Sequence, residues 1–459
     1  MTTDFSRFKL APALLANLES LGYLQMTPIQ AEALPHVLAG RDLIAKAKTG
    51  SGKTVAFGLG LLERLNLQSF AVQALVLCPT RELADQVAKE LRRLARASAN
   101  TKVVALCGGV PFGPQVASLE HGAHIVVGTP GRILNHLQKE TLALHKVSVV
   151  VLDEADRMLD MGFYDDMVEI LAATPAHRQM LFFSATYPEQ FRELSSAFQR
   201  NPVEVSAEPA HTESTIRQYF YEVESGARAR ALAALLAEYR PASTVVFCHT
   251  RQQCQEVSEE LRQRGVSALA LHGDLEQKER DLVLVRFANR SVPVLVATDV
   301  AARGLDIKEL AAVINYELPR DPEIYIHRIG RTGRAGSSGL ALSLFAPSEA
   351  HRVNTIEEYQ GSKVLLEQLP SLNLSGSFTL SAPMVTLCID GGRKEKVRPG
   401  DILGALTADK ALTADMVGKI DIFDHVAYVA IDRTRQEKAL RILSDGSIKG
   451  RRFKVRVLK

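Results

Sequence analysis

The chain lacks what would tie it to an oxidising compartment or a membrane. Its five cysteines (Cys78, Cys107, Cys248, Cys254 and Cys388) are odd in number and show no paired C-x-x-C spacing, which argues against a disulfide framework and against a zinc site. No apolar run approaches the roughly 18 residues of a membrane-spanning helix. Asp4, Arg7 and Lys9 interrupt the start, where a secretory leader would need a basic end and then an apolar stretch, so a cytoplasmic location is expected. Strong net charge is also missing, at +3 over 459 residues. That small excess is unevenly spread. Residues 383–459 carry 16 Lys and Arg against 10 Asp and Glu, whereas the rest carries 39 against 42, so attraction to polyanions is concentrated in the tail. With 46% apolar and 23% charged residues the composition is globular, and the length suits about three domains.

What is present is organised around Ala47-Lys48-Thr49-Gly50-Ser51-Gly52-Lys53-Thr54, a glycine-rich turn between an apolar run at 42–45 and a helical pattern from Val55. Such a turn holds phosphates. Gly50 and Gly52 let backbone N–H groups approach phosphate oxygens, and the helix N-terminus adds its positive end. Lys53 can reach the β- and γ-phosphates, and the Thr54 hydroxyl can ligate Mg²⁺. Ala47 stands where the simple P-loop pattern has its first glycine.

Before this turn, Leu14, Leu15, Leu18 and Leu21 recur at helical spacing, and Thr27-Pro28-Ile29-Gln30 opens another helix. After it, β-rich runs at 74–78, 102–106, 124–127, 147–152 and 179–183 alternate with helical stretches, the pattern of a doubly wound parallel sheet. The polar segment 206–215 reads as a linker. The alternation resumes with runs at 218–223, 244–247, 268–271, 292–297, 312–316 and 339–345, which implies a second domain of similar build without a residue-level repeat. A Leu-, Ser- and Pro-rich piece at 370–383 reads as a second linker. Beyond it, the order strand, helix, strand, strand, helix, strand is the split β-α-β plan of an RNA-recognition motif.

Two constellations carry further chemistry. The apolar run Val149-Val150-Val151-Leu152 ends in Asp153-Glu154-Ala155-Asp156, at the carboxyl end of a strand, where open α/β sheets bind ligands. Asp153 suits Mg²⁺ and Glu154 suits accepting a proton from an attacking water. His327-Arg328-Ile329-Gly330-Arg331-Thr332-Gly333-Arg334 gathers cations where glycines allow close approach, so Arg331 and Arg334 are arginine-finger candidates, though a plain basic loop has the same composition.

Taken in order, Thr27-Pro28 with Gln30, the P-loop, Pro79-Thr80-Arg81-Glu82-Leu83, Thr129-Pro130-Gly131-Arg132, Asp153-Glu154-Ala155-Asp156 and Ser184-Ala185-Thr186 resemble the motifs of a DEAD-box RNA helicase. The second domain adds Val246-Phe247-Cys248, His272-Gly273-Asp274, Thr298-Asp299-Val300-Ala301-Ala302-Arg303-Gly304-Leu305-Asp306 and the arginine-rich motif. The resemblance implies two tandem RecA-like α/β domains closing around ATP and RNA. It implies a Q-motif region at 1–30, an ATP-binding domain at 31–205, a helicase C-terminal domain at 216–369, a linker at 370–382 and an RNA-recognition-motif-like domain at 383–459. Ala47 is what that family carries.

By resemblance, Gln30 would read adenine with stacking from Tyr23 and support from Phe5, Thr27 would brace the P-loop, and Asp306 would meet the ribose. Asp156, Ser184, Thr186 and His327 would couple hydrolysis to RNA handling. RNA-backbone contacts would come from Thr80, Arg81, Gly109, Thr129, Arg132, Arg251, Gly273, Gln277, Arg280 and Thr298, largely blind to sequence, although any one of them could be an ordinary cap or turn residue. The tail is similar to a subgroup of the family that acts on large-subunit (23S) ribosomal RNA in ribosome assembly, which implies pre-ribosomal particles as partners and a protein working as a monomer. It departs from a standard RNA-recognition motif, with Tyr428 the sole aromatic of three expected on the third strand. The basic loops Arg393, Lys394, Lys396, Arg398 and Lys449, Arg451, Arg452, Lys454 are therefore the expected RNA contacts. Two readings stay open: a helicase that opens short duplexes, and an ATP-gated RNA clamp with little unwinding. A DNA translocase fits Gln30 and the tail less well.

Overall fold

The computed structural model describes residues 4–46, 51–98, 100–206, 216–302, 310–333, 339–369, 378–408 and 412–458. The chain forms two compact units that part near residue 211, the first built on one sheet and the second on two.

The first sheet contains β1 (Leu43–Lys46), β2 (Ala74–Leu77), β3 (Val103–Leu106), β4 (Ile125–Gly128), β5 (Val149–Asp153), β6 (Gln179–Ser184) and β7 (Val203–Ser206). Its order is β3-β4-β2-β5-β6-β1-β7, with every pairing parallel. Strands β2, β4, β5 and β6 are buried along their whole length, because crossover helices cover both faces of the sheet. Alternation survives only in which core each side chain joins: Val149 and Val151 enter one apolar cluster, and Val150 and Leu152 the other.

The second sheet contains β8 (Ile216–Glu222), β9 (Thr244–Cys248), β10 (Ala268–Leu271), β11 (Val294–Thr298), β12 (Ala312–Asn315), β13 (Gly339–Phe345) and β14 (Leu365–Glu367). Its order, β10-β11-β9-β12-β13-β8-β14, repeats that of the first sheet when each is counted from its own first strand. The expected architectural kinship is thus present down to the strand order. Two strands escape the sequence reading, β7 and β14. Both are edge strands, and β14 is exposed at all three positions, so neither shows a continuous apolar run. Ser206, the first residue of the expected linker, belongs to β7, while 207–215 lie outside the described residues.

The tail forms an antiparallel sheet of β15 (Met384–Ile389), β16 (Val417–Ile422), β17 (Ala427–Asp432) and β18 (Val455–Val457) in the order β16-β17-β15-β18. Val385, Leu387, Ile389, Val429 and Ile431 pack with Ile402, Leu406, Ala439 and Leu443 of the helices Pro399–Thr407 and Gln436–Asp445. The opposite face is covered in part. Asn289 Nδ2, just before β11, donates to Thr386 Oγ1 at 3.2 Å, and Ser291 Oγ shares a 2.5 Å hydrogen bond with the same hydroxyl. Thr386, Cys388 and Ala430, which point away from the tail's own core, are all buried. Leu380 is fastened as well, its N–H donating to Gly265 O and its carbonyl accepting from Ser267 N–H. The expected linker 370–382 is therefore no free tether at its far end; residues 370–377 lie outside the described set.

Candidate functional site

Register decides what meets at the carboxyl edge of the first sheet. Strands β5, β6 and β1 are neighbours, with Asp153 opposite Phe183 and Ser184 opposite Lys46, so the acidic motif, Ser184 and the carboxyl end of β1 converge. Helix Lys53–Arg64 starts at Lys53, behind Gly52 at φ +89°. A Cβ at Gly52 would lie 2.5 Å from Gln30 Nε2 and 3.2 Å from Thr27 Oγ1, so both backbone conformation and close approach require glycine. Gln30 Nε2 donates to Gly52 O at 2.9 Å while Gln30 Oε1 accepts from Thr27 N–H at 2.9 Å. The Thr27 hydroxyl oxygen is buried beside Gly52 without a hydrogen bond among the described residues. Of the P-loop, Ala47, Lys48, Thr49 and Gly50 lie outside the described residues. Ser51 and Thr54 are half-buried.

Lys53 Nζ sits 2.8 Å from Asp153 Oδ1 and 3.8 Å from Glu154 Oε1, all three residues being buried. Burial would depress the ammonium, but Asp153 and Glu154 outweigh it and hold Lys53 above its usual range, so it is charged. Burial likewise pushes the Asp153 carboxyl up, against the pull of Lys53. Glu154 adopts φ 57°, ψ 54°. A left-handed, non-glycine residue costs about 1–2 kcal/mol, a strain of the kind found at functional sites. Its Oε2 lies 3.1 Å from Arg157 Nη1. Asp156 faces the other way: its Oδ2 accepts from Ala185 N–H, Thr186 N–H and the Thr186 hydroxyl at 3.0–3.1 Å, and Ser184 Oγ donates to Thr186 O at 2.6 Å. Burial, and then the hydrogen bond that Tyr23 OH donates to Glu90 Oε1 at 2.6 Å, push the Tyr23 pKa up to about 12. Phe5 is in the apolar core with Leu14 and Leu18.

Along the same edge, Thr80 caps helix Arg81–Leu94 by accepting from Leu83 N–H. Arg81 lies against Gly109, where a Cβ would fall 1.8 Å from its Nη2. Thr129 precedes helix Pro130–Gln138, whose Arg132 donates to Gln115 Oε1 at 2.9 Å and to Val110 O at 3.1 Å. Thr80, Arg81, Gly109, Thr129 and Arg132 thus surround the N-termini of two helices, where backbone N–H groups favour anions.

In the second unit Arg251 pairs with Asp274 and lies 3.7 Å from a Cβ built on Gly273. Gln277 donates to Asp281, Arg280 Nη2 to Ala301 O, and Thr298 Oγ1 accepts from Ala301 N–H. His327 is half-buried on helix Pro322–Ile329, and Arg331 follows it with 8% of its surface exposed. Arg334 and Asp306 lie outside the described residues. Between these, Arg328 reads in the sequence only as one of the cations gathered at 327–334. It is the centre of a buried network: Nε and Nη2 donate to both oxygens of Asp299 at 2.7 and 2.8 Å, and Nη1 to Asn315 Oδ1 and Glu317 O. Spacing held no signal for this, since its partners are 11, 13 and 29 residues away.

In the tail, Arg393, Lys394, Lys396, Arg398, Lys449, Arg451, Arg452 and Lys454 are all exposed. Their two loops meet: Asp390 N–H donates to Lys454 O, Arg451 Nη1 reaches Glu395 O at 3.5 Å, and Phe453 packs on Gly391. Lys396 and Lys449 are left-handed at φ 62° and 52°. Tyr428 is half-buried on the same sheet face as Thr386, its ring 5.5 Å from that of Phe423.

Comparison with known proteins decides the family. A DEAD/DEAH box helicase model matches residues 27–194, a helicase conserved C-terminal domain model 227–336, and a DbpA RNA binding domain model 386–457. The ATP-dependent RNA helicase DbpA of Escherichia coli is 55% identical over 458 residues, covering 100% of both chains. The chain belongs to the DEAD-box RNA helicases. As a DEAD-box helicase it is an ATP-using, RNA-binding enzyme. The helicase CshA of Bacillus subtilis is 41% identical over 374 residues, or 81% of this chain and 76% of that protein. Among solved structures, Saccharomyces cerevisiae Dbp5 bound to RNA and ADP BeF3 matches with a TM-score of 0.73 at 30% identity, over 80% of this chain and 96% of that one. No helix among the described residues is long and apolar enough to cross a membrane.

Proposed function

We propose that this DEAD-box helicase is directed by its tail to large-subunit (23S) ribosomal RNA, where it opens short duplexes during large-subunit assembly, as a cytoplasmic monomer acting on pre-ribosomal particles. The division of labour follows the sequence: a Q-motif region at 1–30, an ATP-binding domain at 31–205, a helicase C-terminal domain at 216–369 and an RNA-binding domain at 383–459. The observation that carries this reading is the meeting of the tail's two basic loops, with eight exposed cations, beside a sheet face that is buried at Thr386, Cys388 and Ala430. RNA is then gripped from the loop edge through phosphates and structure, with Tyr428 at its margin. The E. coli relative is named an ATP-dependent RNA helicase, which supports the helicase part of this reading.

At the nucleotide, Gln30 and Tyr23 select adenine, and residues 47–54 with Asp306 hold the phosphates and ribose. Thr54 and Asp153 are the residues that would hold Mg²⁺. Both Asp153 oxygens are buried, and among the described residues Lys53, 2.8 Å from Oδ1, is their one partner, which leaves room for a hydrated divalent cation. Such an ion supplies neutralisation of phosphate charge when bound. Lys53 exchanges Asp153 for the β- and γ-phosphate oxygens. Glu154 takes the proton of the attacking water, and Arg331 and Arg334 meet the charge that develops on the transferred phosphoryl group. Asp156, Ser184, Thr186 and His327 relay closure to the RNA contacts. The single strand runs over Thr80, Arg81, Gly109, Thr129 and Arg132 in the first unit, and over Arg251, Gly273, Gln277, Arg280 and Thr298 in the second.

The test compares RNA-stimulated ATPase on a 23S ribosomal RNA fragment and on random RNA, for the full chain and for a chain lacking 383–459. The full chain is expected to be half-activated by the ribosomal fragment far below the concentration needed of random RNA, and the truncated chain to rank the two alike. Equal ranking by both proteins, or a preference that survives truncation, overturns the assignment to the tail.

A further inference from the structure

We propose that Gln115 is the positioning residue that aims Arg132 at the RNA backbone; this rests on the reading above that Arg132 contacts RNA. Gln115 is 8% exposed, in helix Phe112–Glu120, and both ends of its amide are engaged. Nε2 donates to Cys107 O at 3.0 Å, which fixes which end is which. Oε1 therefore faces two donors, Arg132 Nη1 at 2.9 Å and His136 Nε2 at 3.0 Å. His136 is in turn held by Thr141 Oγ1 at 2.8 Å from its Nδ1 and by stacking on Phe112, with centroids 4.1 Å apart and planes 19° apart. Arg132 closes the cluster, its guanidinium 5.7 Å from the Phe112 ring centre and its Nη2 on Val110 O.

Every partner of Arg132 is neutral. The described structure pairs no carboxylate with it, whereas Arg157, Arg251 and Arg328 each have one. Neutral acceptors orient a guanidinium without cancelling its charge, and that is what recognition of phosphate needs. An aspartate or glutamate in place of Gln115 would hold Arg132 as well but would compete with RNA for it. A long side chain otherwise free to rotate is here fixed before RNA arrives, so its ordering cost is met in folding. Gln115 touches neither nucleotide nor RNA on this account; it acts through Arg132.

The experiment measures RNA half-saturation of the ATPase, and the salt slope of single-stranded RNA binding, for wild type, Gln115→Met, Gln115→Asn, Arg132→Ala and the Gln115→Met/Arg132→Ala double variant. Methionine keeps length and removes all three hydrogen bonds. Asparagine keeps an amide for Cys107 O but falls short of Arg132, and serves if the methionine variant folds poorly. Each single variant is expected to raise RNA half-saturation by about three- to tenfold, the worth of part of a charge-assisted hydrogen bond. The KM for ATP at saturating RNA should stay unchanged, and the salt slope should drop by up to about 0.7, one phosphate contact. The double variant should be no worse than Arg132→Ala, because the two act as one unit. Additive effects, or an unchanged salt slope in Gln115→Met, mean a merely structural glutamine and overturn the proposal. An Arg132→Ala variant with normal RNA half-saturation and slope overturns the reading of Arg132 as well.

Discussion

The first unit's edge proposed to carry RNA and the second unit's sheet end both present arginines, and they treat them oppositely. Arg328 is bound bidentately by Asp299, and Arg228 is paired with Glu317 and Glu349. Among the described residues Arg132 is hydrogen-bonded by Gln115 and Val110 O alone, and Arg81 rests on Gly109 with one buried guanidinium nitrogen unpartnered. A cation neutralised within the fold is architecture, because removing its partner would strand a buried charge. A cation oriented by neutral groups keeps its field for a ligand. The proposed nucleotide end combines the two conditions, since Lys53 is neutralised by Asp153 and, on the proposed function, exchanges it for the phosphates.

That contrast is broken most severely at Glu154. Glu154→Gln keeps shape and hydrogen bonding but removes the proton acceptor, so ATP turnover at saturating RNA should fall by about 10²- to 10⁴-fold, while ATP-dependent RNA binding persists. A purified variant with near-normal turnover would remove Glu154 from the role.

Next comes the architectural class. Arg328 is 2% exposed and makes four hydrogen bonds, with its guanidinium 5.0 Å from the Phe247 ring centre. Arg328→Met would leave Asp299 without its cation and Asn315 Oδ1 without a donor, a loss of about 3–5 kcal/mol from the second unit. Urea unfolding of the full chain, followed by a probe in that unit, measures it. If Arg328 belonged to the other class, stability would hardly change and RNA binding would weaken instead.

How much of this was legible depends on whether a residue acts through its neighbours in sequence or in space. The paired parallel sheets were readable because buried strands write continuous apolar runs, and the P-loop and acidic motif because a few adjacent residues carry their chemistry. The tail's strand and helix order was legible for the same reason, and the loops Arg393 to Arg398 and Lys449 to Lys454 by charge alone. Edge strands β7 and β14 were not, being short and exposed. Nor was the burial of Thr386, whose partners Asn289 and Ser291 are 97 and 95 residues away. Gln115 is silent in the sequence, since its three partners come from a strand end and a neighbouring helix. Arg328 was visible as a charge but not as a paired one.

The smallest expected effect probes the neutrality of the cradle around Arg132. Burial, then Arg132, then Lys139 push the His136 pKa down from 6.5 to about 4, so the imidazole is neutral at physiological pH and its proton sits on Nε2, facing Gln115 Oε1. The folded value lies below the unfolded one. Between pH 6.5 and about 4 the unfolded chain therefore takes up a proton that the folded chain refuses, and the first unit loses stability as pH falls through that window. Above it this contribution is fully present. His136→Gln stays neutral throughout, so its urea midpoint should change less between pH 7 and pH 5 than that of wild type, with other titrating groups cancelling in the difference. Identical pH dependence in the two proteins would mean that His136 titrates in the folded chain as it does in water. The set holding Arg132 would then gain a positive charge on mild acidification, and orientation by neutral groups alone would fail as the account of that arginine.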